Sequence, residues 1–204
     1  MYETTLNVND TGFTLMSNNL NKFEAVIDKK KLQTTLKFII IRSEFRLNNN
    51  IGEDWDRKKW DSFANSLSKK YPLFANQVLL EVKILIFPGK NNWKGYAEAV
   101  EKYIAVQSPL NSELNDYAWT IFSKCDDKEI LKIALKWSNM SFNNQEKIEP
   151  GYIDTYANLL YKMGRNKEAL EWEMKAQKIA VEQGADKSWG QDVMDKINKG
   201  EKTW

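Results

Sequence analysis

The chain has 204 residues, with 30 Lys plus Arg against 28 Asp plus Glu, one Cys and no His. Without histidine it can build no Ser-His or Cys-His nucleophile pair, imidazole metal site or histidine pH switch of its own, and one cysteine rules out an internal disulfide, a CxxC pair or a thiolate zinc cage. Apolar content of 42%, a mean hydropathy of -0.60 and no run near the ~18 apolar residues of a membrane span point away from membrane insertion. The basic residues, 26 Lys and 4 Arg, are interspersed with acids instead of gathered on one face, so nucleic acid is not the expected partner.

The opening, Met1 to Leu6, has neither the basic start nor the apolar stretch of a secretory signal. It is polar, without cap or hydrophobic period, which leaves open that the chain is an excised piece of a longer protein. Met16, Leu20, Phe23 and Ile27 then predict an amphipathic helix over 14–28, broken by Lys29-Lys30-Lys31. Leu32, Leu36, Ile39, Ile40 and Leu47 continue the helical period, but Phe38 to Ile41 is equally a β-branched run, so helix and strand both stay open for 36–46. Asn48 to Gly52 is a breaker. Asp54 opens the next helix, with Trp60, Phe63, Ala64 and Leu67 on one face and Tyr71-Pro72 at its end. The apolar block Val78, Leu79, Val82, Leu85 and Ile86, closed by Phe87-Pro88-Gly89, is again helix or strand over 78–87. Trp93, Tyr96, Val100 and Tyr103 step as one helical face up to about Val106.

An internal repeat follows. Leu114, Tyr117, Ala118, Ile121 and Phe122 align with Ile153, Tyr156, Ala157, Leu160 and Tyr161 at an offset of 39, and Ala134-Leu135-Lys136-Trp137 aligns with Ala169-Leu170-Glu171-Trp172 at 35. The difference is about one helical turn, read as an extra turn around 126–131 in the first copy. Trp189, Val193, Met194 and Ile197 form a last amphipathic helix, suited to cap an open stack.

The segment from Tyr156 to Leu170 resembles a tetratricopeptide repeat. Small Ala157 lets two antiparallel helices approach, Gly164 supplies the helix-ending residue that tolerates positive φ, and Ala169 and Ala176 keep the second helix close. The pattern departs at Glu173, where a large packing residue is expected and Trp172 stands beside it. The resemblance implies an all-α fold of antiparallel helical hairpins stacked as a right-handed solenoid, with 1–90 an N-terminal helical region, either degenerate repeats or a separate subdomain, and 91–204 the repeats with their capping helix. More broadly, the stretch from Trp93 to Trp204 is similar to the helical region that follows a thioredoxin-like domain in some bacterial thiol-disulfide proteins. The catalytic CxxC domain itself is absent from this chain.

In such a stack the first helix of each pair faces a concave surface. The expected peptide-binding groove is therefore Asn115, Trp119 and Phe122 from one copy with Asp154, Asn158, Tyr161 and Lys162 from the next. An amide such as Asn158 can bond a peptide backbone, and Trp119 and Tyr161 offer flat apolar area at low entropy cost; the alternative is that the aromatics simply pack between helices. The acidic groups Asp126-Asp127, Glu53-Asp54 with Asp56, and Glu171 with Glu173 read as solvated faces or caps, and Cys125, with no histidine to activate it, as an inert thiol. No cofactor and no metal are expected. The expected function is a non-catalytic helical-repeat module for protein or peptide binding. The alternative is an architectural or dimerising accessory region of a thioredoxin-like thiol-disulfide protein, periplasmic if the natural start lies before Met1 and otherwise cytoplasmic.

Overall fold

A computed structural model describes residues 7–46, 55–143 and 145–204. Its described residues contain eleven α-helices and no strand, so both segments left open between helix and strand are helical. They divide into two compact units, Met1–Ile86 and Phe87–Trp204.

The first unit holds α1 (Thr11–Asn18), α2 (Leu20–Glu24), α3 (Lys29–Ile40), a π-helical turn (Ile41–Arg46), α4 (Arg57–Lys70) and α5 (Ala75–Ile86). The single helix expected over 14–28 is in fact two, because Asn19 leaves helical geometry (φ -123°, ψ 35°). Its amide donates back to the carbonyl of Leu15 at 3.0 Å, the local competition with the backbone that makes asparagine a helix breaker. Asp28 and Asp56 cap α3 and α4 by accepting from the backbone N–H groups of Lys31 and Lys59, each at 2.8 Å. Asp56 thus opens α4; Asp54, expected there, lies outside the described residues with Glu53 and the 48–52 breaker. Leu36, Ile39, Ile40, Phe45, Leu67, Val78 and Val82 are the centre of this unit's core. Each such burial stabilises by roughly 1.5–3 kcal/mol. Phe38, which made a strand conceivable, is half exposed, while Lys37 beside it is buried and bonded to Glu81.

The second unit begins with a 3-10 turn (Phe87–Lys90) and continues with α6 (Trp93–Val106), α7 (Asn111–Lys124), α8 (Lys128–Phe142), α9 (Pro150–Lys162), α10 (Asn166–Glu182) and α11 (Gln191–Lys199). Within it, α7 packs on α8 and α9, α8 on α9, α9 on α10, and α10 on α11. Loops of three residues join α7 to α8 and α9 to α10. Ala118 and Ala157, both fully buried, occupy equivalent places on α7 and α9. At the end of α9, Gly164 takes φ +81°, its N–H donates to Tyr161 and that of Arg165 to Leu160, so the last carbonyls of the helix are satisfied.

The second helices correct the repeat. Ile130, Ala134, Trp137 and Ser141 of α8 are buried, and so are Ala169, Glu173, Ala176 and Ala180 of α10, at the offset of 39 that relates the first helices. No extra turn lies around 126–131: Cys125 to Asp127 are the loop, and Asp127 caps α8 by accepting from Glu129 and Ile130. The recurrence of Ala-Leu-x-Trp at 35 is a one-turn slip, since two small-large motifs one turn apart present the same kind of face. In the correct register Ala134 corresponds to Glu173.

Candidate functional site

Six of the seven expected groove residues separate into two groups, and Asn115 stands apart from both. Trp119 and Phe122 of α7 and Tyr161 and Lys162 of α9 meet at one end of the helices, where residues 200–204 also lie. Asp154 and Asn158 sit along α9 beneath α10. Asn115 is half-buried, and its side-chain oxygen has no hydrogen-bond partner.

Exposure differs from expectation. Only Trp119, at 43%, is open to solvent; Phe122 (1%), Asn158 (2%) and Tyr161 (8%) are buried. Asn158 is not available to a peptide backbone, because its amide donates to the carbonyl oxygen and Oδ1 of Asp154 at 3.0 and 3.1 Å. The helical period places it on the inner face of α9, where α10 covers it.

The aromatic group is built around a cation. The Lys162 side chain is 3% exposed, and its ammonium donates to the Phe122 carbonyl at 2.7 Å and pairs with Asp126 at 2.9 Å. That bond lies at the C-terminal end of α7, where free carbonyls and the helix dipole favour positive charge. The pairing holds the Asp126 carboxyl below its ordinary range. Trp119 and Phe122 rings are 4.9 Å apart. Trp204 meets Phe122 edge-on at 6.2 Å and Tyr161 at 5.9 Å, with the Lys162 ammonium 5.0 Å from its ring centre. The Tyr161 hydroxyl donates to the backbone carbonyl of Glu201 at 2.9 Å.

The second group includes a partner the sequence does not suggest: Asp154, expected in the groove, lies beside Glu173, expected on a solvated face. Glu173 is wholly buried, and neither of its carboxyl oxygens finds a donor other than the carboxyl of Asp154. Two carboxyl groups can share a hydrogen bond only if one keeps its proton. Burial pushes Glu173 far above the ordinary carboxylate range, with the neighbouring Asp154 and then Asp192 adding to the effect. Burial also raises Asp154, less strongly, because Glu173 and Asn158 hydrogen-bond to its ionised form. Burial and the adjacent Asp154 carboxyl thus act in the same direction, toward a neutral Glu173. Gly190, at φ +73°, lies close above it: a Cβ there would stand 2.5 Å from Glu173 Oε1. Pushed-apart carboxyl pairs can serve acid-base chemistry, but Glu173 has no solvent-accessible surface through which a substrate would reach it. Among the described residues, Glu173 is the one acid of those expected on solvated faces that is buried; Glu171 beside it is exposed. Its only signal in the sequence was the break in the repeat pattern.

Cys125 is buried, and desolvation raises its thiol. Among the described residues no group of three or more acidic or cysteine side chains is arranged to hold a metal ion, and no helix is long and apolar enough to cross a membrane. An open cavity of about 610 Å³ lies between α6 and α8, lined by Ala97, Glu101, Ile130 and Ile133 among others, and contains none of the expected groove residues. Compared with known proteins, the chain matches no family model, no curated protein and no solved structure.

Proposed function

We propose that the chain is a non-catalytic helical-repeat module of tetratricopeptide-like hairpins, and that it binds a non-helical peptide at the ends of α7 and α9. The observation that carries this reading is that Phe122, Tyr161 and Lys162 already hold a non-helical backbone segment and take its carbonyl on a tyrosine hydroxyl, with Trp119 beside Phe122 extending the aromatic surface to solvent. Tilted and edge-to-face rings with a desolvated cation hold an aromatic side chain strongly, and a hydroxyl directed at a carbonyl selects peptide over other apolar ligands. The hairpin stacking is supported by the 39-residue offset of buried positions and by the packing of α7 on α9.

The test is a panel of labelled synthetic peptides of varied sequence, some rich in aromatic residues, measured by fluorescence anisotropy against the purified chain and its Trp119→Ala variant. Trp119 is the exposed member of the set, so the substitution leaves the core intact. The reading requires aromatic peptides to bind preferentially and to lose about 1–2 kcal/mol on truncation of Trp119. Binding that does not favour the aromatic peptides, or that is unchanged in Trp119→Ala, would remove the groove.

A further inference from the structure

The groove is not empty: the chain itself occupies it. After α11 the backbone turns at Gly200, in the left-handed region at φ +71°, where N–H groups of Gly200 and Glu201 close the helix onto Ile197 and Lys196. The turn carries residues 201–204 back toward α7 and α9. Tyr161 binds the Glu201 carbonyl, and Trp204 lodges among Phe122, Tyr161 and Lys162. Lys202 adds its charge near Asp126, whose carboxyl it helps to lower, and its ammonium lies 5.5 Å from the Trp204 ring.

The fit is incomplete in two respects. The Thr203 hydroxyl is buried without a hydrogen-bond partner, a cost that a different side chain would not incur. Trp204 keeps 38% of its surface exposed, so the segment does not seal the groove as a permanent core element would. The contacts that hold the segment, the Tyr161 hydroxyl on a backbone carbonyl and the Trp204 ring among Phe122, Tyr161 and Lys162, are ones that another peptide of the same chemistry can make in its place.

We propose that residues 200–204 are a pseudo-ligand held in cis, and that the groove's partner is a non-helical peptide bearing a tryptophan two residues after a lysine, which displaces them. This rests on the reading of the α7 and α9 ends as a peptide groove. Self-occupancy lowers the apparent affinity for an outside peptide by the fraction of chains whose groove is open. The segment thereby sets a threshold that only a partner of higher affinity or high local concentration crosses.

The probe is a fluorescein-labelled Gly-Glu-Lys-Thr-Trp peptide, measured by anisotropy against the full chain, its Trp204→Ala variant and its Gly200→Ala variant. Trp204→Ala removes the competing ring; Gly200→Ala strains the turn that delivers the segment and touches no groove residue. Both should bind the probe more tightly than the unaltered chain, Trp204→Ala by about tenfold. Adding Lys162→Met to Trp204→Ala should abolish the gain. In the unaltered chain, excess unlabelled probe should shift the indole N–H resonance that is missing from the Trp204→Ala spectrum. Equal affinity for all three chains overturns the competition, and no binding to any overturns the partner chemistry. Either result can coexist with aromatic-peptide binding in the panel above, so the proposal can fail while the groove stands.

Discussion

Glu173 occupies the place that Ala134 holds in the preceding hairpin, and burial there, reinforced by the neighbouring Asp154 carboxyl, favours its neutral form. An ionised carboxylate in that position would lack donors, so desolvation and the like charge of Asp154 and Asp192 act together to keep Glu173 neutral. Both carboxyls of the pair are raised relative to an unfolded chain, so the folded state binds more protons as pH climbs. The stability this contributes is complete below the ordinary carboxylate range and is lost as pH rises through the higher folded values. Unfolding by urea should therefore show stability falling by about 2–4 kcal/mol between about pH 5 and about pH 9. Glu173→Gln, whose amide donates to Asp154 at every pH, should flatten the part of that slope due to Glu173. A slope unchanged in the variant would assign the pH dependence elsewhere. A reader of the sequence sees Glu173 only as an irregularity, since its proton depends on a partner nineteen positions earlier in the chain.

At the level of single helices, start and stop signals are short-range and therefore legible. Asp28, Asp56, Asn92 and Asp127 each accept from a backbone N–H two or three residues ahead, and Gly164 ends α9 in the left-handed conformation that its side-chain-free backbone permits. Asp127 takes two such bonds and holds the turn between α7 and α8 that also carries Asp126 to Lys162. Asp127→Ala should lower stability by about 1 kcal/mol in equilibrium unfolding, with the rest of the fold unchanged. A loss near zero would mean that the tight three-residue turn, not the cap, defines the start of α8. The misreadings at this scale have physical causes. The α1–α2 break arises from a side-chain amide competing for a carbonyl, which hydrophobic spacing does not register, and the repeat slipped by a turn because faces one turn apart are equivalent to a period-based reading.

For the whole molecule, every described contact of the aromatic groove falls within the unit Phe87–Trp204, which has its own buried clusters around Leu160, Ala169 and Ile197 and around Phe142, Ile153 and Ala176. Residues 87–204 expressed alone should remain helical by circular dichroism, unfold cooperatively and retain the peptide binding of the full chain. A fragment that is unfolded would show that the groove depends on the first unit. Whereas the apolar runs of α3 and α5 suited helix and strand alike, the apolar faces of α4, α6, α7 and α9 and the 39-residue spacing of α7 and α9 were readable from periodicity. The position of Trp204 was not: it stands alone at the end of a polar stretch, and no local pattern says which surface it meets.

By itself the sequence determined the excluded chemistries, the helical class and the 39-residue register of the first helices, because residue inventory, capping and periodicity act over a few neighbouring positions. Only the tertiary structure decided that Asn158 turns inward, that Glu173 is buried beside Asp154, and that residues 200–204 lie across the ends of α7 and α9. Each of these depends on which distant surface a side chain is buried against. Burial and the loss of water that accompanies it are set by packing between helices, and one helix's sequence does not carry that information.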